Sequence, residues 1–216
     1  MQISKNQIST MLEMQDKNNK IINQEWATMG WPFLRAVLVE ATEGMEHVGW
    51  KWWKKQTPDW PQVQLELVDI WHFILSNEVL RAETLEIAAK NILAELNFNQ
   101  KSVVFDGNNY IYEDMDLVEK FELMVGLAAS RRVDLCLFQS MLGDASMSWS
   151  DLIKMYVGKN VLNRFRQANG YKEGSYAKIW NGEEDNVHLA KIMENLPEAD
   201  IEEFVWGELL ICYTNR

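Results

Sequence analysis

A chain of 216 residues that is 47% hydrophobic is long enough to bury one generous core and too apolar for intrinsic disorder. Its formal charge of −11, from 32 acidic against 21 basic residues, argues against a nucleic-acid polymer as partner. Neutralising phosphates is what holds such proteins on their targets.

The apolar spacing along the chain follows i, i+3/i+4, i+7, the helical period, and strand signals are scarce. The expectation is one all-α domain over 1–216. Helices are predicted at about 5–24, 32–48 and 62–80, with Gly49 ending the second and a tryptophan-rich connection at 50–61 broken by Pro58 and Pro61. A fourth helix at about 82–96 leads into a polar stretch through Asp114, read as loop with a short hairpin at Gly107-Asn108. Helices follow at about 115–131 and 133–143, then a long one at about 149–168 with Ser148 or Ser150 as N-cap and Gly170 as stop. Residues 170–186 read as a structured loop, and short helices at about 187–195 and 198–213 close the chain. No apolar run approaches the roughly 18 residues of a membrane span. The polar stretch Met1–Lys20 lacks the apolar centre of a signal peptide. No membrane association and a cytoplasmic location, the host's for a viral gene, are therefore expected. Cys136 and Cys212 are expected to be buried, reduced thiols.

Two carboxylate pairs carry the chemistry. Glu40-x-x-Glu43 and Glu66-x-x-Asp69 lie in the second and third helices, with 22 residues between them. An i, i+3 spacing puts both members of a pair on one helical face, and two such helices packed antiparallel focus four negative charges in one place. That arrangement needs cations. Oxygen ligands without Cys or His suit Mg²⁺, which takes carboxylates together with substrate phosphates. At about 100° per residue, Asp69 lies about 300° from Glu66, with His72 at about 240° and Phe73 at about 340°. The same face thus carries two ligands, an imidazole and a ring. Residues 152–180 hold Lys154, Lys159, Arg164, Arg166, Lys172 and Lys178 against Glu173 alone, a local basic run in an acidic chain. Of the ten tryptophans, Trp26, Trp31, Trp50, Trp52, Trp53, Trp60 and Trp71 are grouped around the carboxylate helices. Most are expected in the core or a subunit interface, with one or two left to line a base pocket. There is no P-loop and no zinc motif.

The blocks MQDKNN at 14–19, VEATEGMEHVGWKWWKK at 39–55, LELVDIWHFILS at 65–76 and VGKNVLNRFRQANGYKEGSYAKIWNGEEDN at 157–186 resemble the dimeric dUTPases. That family, seen in Campylobacter and in trypanosomatids, belongs to the all-α nucleoside triphosphate pyrophosphohydrolases with the MazG-like proteins. Residues 81–150 are unmatched by this resemblance, Gly44 stands where the family has Leu, and Asn18 where an apolar residue is usual. The resemblance implies a helical bundle of a rigid core plus a mobile helical lobe, with core metal-binding helices at about 32–80, variable helices at about 81–147 and a phosphate-end motif at 157–186. It makes Glu40, Glu43, Glu66 and Asp69 the ligands of two or three Mg²⁺ ions, with Glu40, then Glu43, as the water-activating base. Gln15 and Asn19 match amides that read the base, and His72 and Phe73 match residues packing around the deoxyribose. Lys51 and Trp53 match a loop beside the pocket. Lys159, Arg166, Lys172 and Asn186 match the phosphate end. The implied activity is dUTP hydrolysis to dUMP and pyrophosphate by a homodimer, with dUDP as a further substrate. The alternative is a dCTP or mixed dCTP/dUTP pyrophosphatase, which would share every metal ligand.

Overall fold

The computed structural model describes residues 2–196 and 200–216. Among these the chain is helical: α1 (Lys5–Ile22), α2 (Phe33–Val48), α3 (Trp60–Arg81), α4 (Leu85–Phe98), α5 (Leu117–Ala129), α6 (Leu135–Asp144), α7 (Trp149–Ala168), α8 (Asp185–Met193) and α9 (Ile201–Thr214). Two small antiparallel hairpins interrupt the helices, β1 (Ser102–Phe105) with β2 (Asn108–Ile111) and β3 (Ile179–Trp180) with β4 (Glu183–Glu184). The first hairpin turns at Asp106-Gly107, both with positive φ, a turn conformation that Asp-Gly favours.

Short polar side chains start the helices by satisfying their free N–H groups. Ser4, Asp116 and Ser148 each form a reciprocal capping box, with Gln7, Glu119 and Asp151. Asp59, Thr84 and Asp134 cap α3, α4 and α6. Pro61 does not break a helix. It sits in the first turn of α3, where its missing N–H has no intrahelical acceptor to lose. Gly49, at φ +87°, ends α2 in the left-handed conformation that suits a glycine C-cap.

Helix α3 is buried on nearly every side and organises the molecule. Trp71 stacks on Phe138 at 5.1 Å between ring centroids and meets Trp149 edge-on at 5.2 Å. This ties α3 to α6 and α7. Helices α2 and α3 form a hairpin closed by the Asp59 N–H donating to the His47 carbonyl. Helix α5 packs on α2 at Gly44, where an added Cβ would lie 2.6 Å from the Phe121 ring. Gly44 therefore does not loosen α2; its missing side chain is the space that Phe121 occupies. A second apolar cluster joins Leu65 of α3 to Val161, Leu162 and Phe165 of α7, Trp180, and residues of α8 and α9.

The expectations about side chains are met in part. Trp26 and Trp71 are in the core, but Trp50, Trp52, Trp53 and Trp60 are exposed on this chain, Trp52 by 86%. The segment between Gly49 and Asp59 turns on a few hydrogen bonds and never folds back far enough to cover them. Cys136 is buried and free, whereas Cys212 is free but only half-buried, on the outer part of α9. The predicted start of the last helix, 198–199, lies outside the described residues, and α9 is described from Ile201.

Candidate active site

Three of the four carboxylates converge. One oxygen from each of Glu40, Glu43 and Glu66 lies within 4.8 Å of the other two, across the α2–α3 hairpin. The three differ sharply in environment: Glu43 is exposed, Glu40 half-buried, and Glu66 only 3% exposed. Burial, with the charge of Asp69 added, pushes the Glu40 carboxyl up to about 7 and that of Glu66 up to about 9. Glu66 Oε2 is buried with no hydrogen-bond partner. An unpartnered buried carboxylate oxygen is costly unless a cation meets it. The three acidic groups could thus hold a metal ion, and their all-oxygen character fits a hard one.

Asp69 is placed differently. Its Oδ2 lies 2.6 Å from Nζ of Lys159, a lysine of α7 that is itself 2% exposed. Lys159 Nζ also donates to Asn186 Oδ1 at 2.7 Å. Asn186 Oδ1 further accepts from Arg166 Nη2 at 3.1 Å. The third helix is thereby joined to α7 and α8 through one chain of charged and polar groups. Of the remaining basic run, Arg164 pairs with Glu202 and Lys178 with Glu184, so it is not a free positive face. Lys172 is exposed and donates to the Ile22 carbonyl at the end of α1.

A buried polar network lies on the next turns of α3. Gln15 Oε1 sits 2.6 Å from His72 Nδ1 and accepts from the Tyr156 hydroxyl at 3.0 Å. Gln15 Nε2 donates to Asn19 Oδ1 and to Ser76 Oγ, and Asn19 Nδ2 donates to the same hydroxyl. An amide oxygen only accepts, so His72 Nδ1 carries the proton and Nε2 presents a lone pair. Burial lowers this imidazole to about 4, which keeps it neutral. Its Nε2 is buried without a partner. Gln15 and Asn19 are 5% and 4% exposed, so they form an interior cluster rather than an outer helix face. All four hydrogen-bonding positions of Gln15 are filled by protein groups, while Asn19 keeps one N–H and one lone pair.

Phe73 borders a shallow apolar groove of about 380 Å³ that also contains Trp31, Phe33 and Glu40. Its ring centroid is 6.5 Å from that of Phe33. The groove brings an aromatic wall directly beside one of the three converging carboxylates. Lys51 and Trp53 stay on the α2–α3 connection. Lys51 pairs with Glu46 and covers the Trp50 ring at 5.8 Å, and Trp53 packs edge-on against Trp50 and Trp52. Among the described residues no hydrogen bond or ion pair joins Lys51, Trp53 or Lys172 to the carboxylates.

The family model described as dUTPase matches residues 7–171. The chain belongs to the dUTPase family. As a dUTPase it is a nucleoside triphosphate pyrophosphohydrolase, a dUTP diphosphatase, with the all-α architecture described above. No curated protein matches the chain. The dUTPase match runs from the first turn of α1 through α7, and takes in the three converging carboxylates, Asp69, the Gln15 network and Lys159. It stops at Tyr171, before Lys172 and Asn186.

Several residues in contact with the candidate site residues escape a sequence reading. His47, four residues after Glu43 on α2, brings Nε2 to 3.6 Å from Glu66 Oε1. Ser76, one turn after His72, and Tyr156, three residues before Lys159, complete the amide network. Asp185, immediately before Asn186, is fully buried against Arg166. Helical spacing from residues already singled out would have marked Ser76 and Tyr156. Nothing in the spacing marks Asp185, since its partner is 19 residues away.

Proposed function

We propose that this dUTPase hydrolyses dUTP to dUMP and pyrophosphate with Mg²⁺ held by Glu40, Glu43, Glu66 and Asp69. The observation that carries the reading is the convergence of three of those carboxylates on one helical hairpin in a chain of this family. Bound there, two or three Mg²⁺ ions would supply charge neutralisation for the triphosphate and acidify a bound water. Glu40 stands between buried Glu66 and the aromatic groove, so it orients and deprotonates the water that attacks the α-phosphorus. Glu43, exposed beside it, is the second choice for that proton.

Other residues divide the nucleotide between them. Phe73 packs against the deoxyribose, and the free lone pair of His72 Nε2 accepts from the substrate. Asn19 reads the base with its spare donor and acceptor, Gln15 belongs to the same base-reading pair as the residue that holds Asn19 in place, and Lys51 and Trp53 lie on the loop beside it. Lys159 has three ammonium N–H groups and uses two on Asp69 and Asn186, which leaves one for the departing pyrophosphate. Arg166, Lys172 and Asn186 belong to the same end, and segment 157–186 closes over the bound nucleotide and excludes water. The chain acts as one domain: core helices 32–80, variable helices 81–147 and this mobile phosphate-end lobe. The resemblance further supports dUDP as a second substrate and a homodimer, whose interface would cover exposed tryptophans such as Trp52 and Trp53.

Purified protein with Mg²⁺ and a panel of deoxynucleoside triphosphates tests the reading through pyrophosphate release. Burying one mismatched polar group costs about 1–3 kcal/mol, so dUTP should lead dCTP by about tenfold or more. Equal kcat/KM on the two would leave a broader pyrimidine pyrophosphohydrolase instead. Sedimentation of the same preparation reads the dimer.

A further inference from the structure

Among the described residues, the most completely buried charged group outside the carboxylate cluster is Asp185, at 0% exposure, the first residue of α8. Its two oxygens take Nε and Nη2 of Arg166, each at 2.8 Å, in the parallel two-bond arrangement that fixes a guanidinium plane. Oδ2 also accepts from the Tyr176 hydroxyl at 2.8 Å. Burial pushes the Asp185 carboxyl up, and the guanidinium outweighs it, holding the group below the usual carboxylate range. Asp185 thus sits as the acceptor of three hydrogen bonds at the junction of α7, α8 and the 170–184 loop.

A guanidinium has five N–H donors. Asp185 takes two of Arg166's, Asn186 Oδ1 takes the second on Nη2, and Asn163 Oδ1 takes one on Nη1 at 3.3 Å. One Nη1 N–H is left without a partner among the described residues. Asn186 Oδ1, the atom that Arg166 touches, is also the acceptor of Lys159, which pairs with Asp69. The orientation of the cations facing the carboxylate helix is thus set from behind by one carboxylate that faces none of the carboxylates Glu40, Glu43 and Glu66.

We propose that Asp185 is a positioning residue for dUTP hydrolysis: it locks the Arg166 plane, and through Asn186 the Lys159 ammonium, in register with the phosphate chain. This rests on the reading above that Lys159, Arg166 and Asn186 form the phosphate end. Its distinguishing consequence is a split between the two halves of the substrate. Disturbing Asp185 weakens recognition of phosphates and spares recognition of the nucleoside.

Asp185→Asn and Asp185→Glu test it, alongside Arg166→Met, by calorimetric binding of pyrophosphate and of deoxyuridine separately, with thermal scans. Asp185→Glu keeps the charge that pairs with Arg166 but moves the guanidinium by one methylene, and the thermal scans read whether the buried position tolerates it. A displacement of that size at a positioned group costs about tenfold or more. The expected result is pyrophosphate binding weakened about tenfold in both Asp185 variants, deoxyuridine binding unchanged, and no further loss when Asp185→Asn is added to Arg166→Met. Wild-type pyrophosphate affinity in Asp185→Glu, with a loss in Arg166→Met, would overturn the positioning role and leave the phosphate end standing. Unchanged pyrophosphate affinity in Arg166→Met would overturn both. Equal weakening of the two ligands would mark Asp185 as a structural ion pair only.

Discussion

The four carboxylates are not equivalent, and single substitutions should separate them. Glu43 is exposed, so Glu43→Gln removes charge from a crowded cluster without stranding a partner. Pyrophosphate release should fall at least about a hundredfold, the scale of metal and electrostatic catalysis, while the metal-free protein keeps or gains thermal stability. Asp69→Asn should lose activity to a similar degree but also lower the melting temperature. It strands the ammonium of Lys159, 2% exposed, at a cost on the order of 3 kcal/mol. Near-normal turnover in Glu43→Gln would remove that residue from the site. Phe73→Ala should widen the wall beside Glu40 and raise activity on UTP relative to dUTP. An unchanged ratio would make the ring packing alone. Gln15→Ala is expected to act mainly on stability, because it orphans His72 Nδ1 and removes partners from Tyr156, Asn19 and Ser76 together. Each unsatisfied buried group costs about 1–3 kcal/mol, which a thermal melt would register.

At the scale of helices, the close approach of α2 and α5 makes a test independent of chemistry. Gly44→Leu would restore the side chain that the resembling family carries, yet drive it into Phe121. Overpacking of this kind costs about 1–3 kcal/mol, and Phe121→Ala in the same chain should return part of it. A stable Gly44→Leu protein would mean that α5 shifts freely on α2. This pair also marks how far the sequence could be read. Helix positions followed from capping residues and the 3.6 period, and α2, α3 and α7 fell within two residues of their expected bounds. The carboxylate pairing was legible for the same reason, since i, i+3 spacing fixes a face before any packing is known. Long-range partners were not. Phe121 against Gly44, Lys159 against Asp69 and Asp185 against Arg166 depend on how helices cross, and no local pattern encodes a crossing. The first hairpin was legible from its Gly107 turn, whereas β3–β4 was read as loop because strands of two residues carry too little alternation to stand out.

Across the whole molecule, stability and charge oppose each other at the site. Glu40 and Glu66 have ordinary values of 4.5 and are pushed up to about 7 and about 9 by burial and by Asp69. The folded state therefore keeps protons that the unfolded chain has released. The stabilisation they contribute is complete below about pH 4.5 and is lost as pH rises through 7 towards 9. Thermal scans of the protein in chelator should show a melting temperature falling across that window. Added Mg²⁺ should raise it most at the alkaline end, where the carboxylates are charged and bind best. A chelated protein with the same melting temperature at pH 6 and pH 9 would contradict the burial of these two groups.

The single proton of the Tyr156 hydroxyl is shared between two acceptors, the Met11 carbonyl and Gln15 Oε1, and the first of these contacts is a closure across 145 positions of sequence. A ribosome releases this protein from its first helix onward, so α1 and α3 emerge long before the residue that seals them. Until α7 is out of the exit tunnel, Gln15 and His72 face each other with one side of their pocket open to water. A nascent chain halted before Tyr156 should consequently present a loosened, protease-sensitive α1, and full protection should arrive only with the helix that also delivers Lys159.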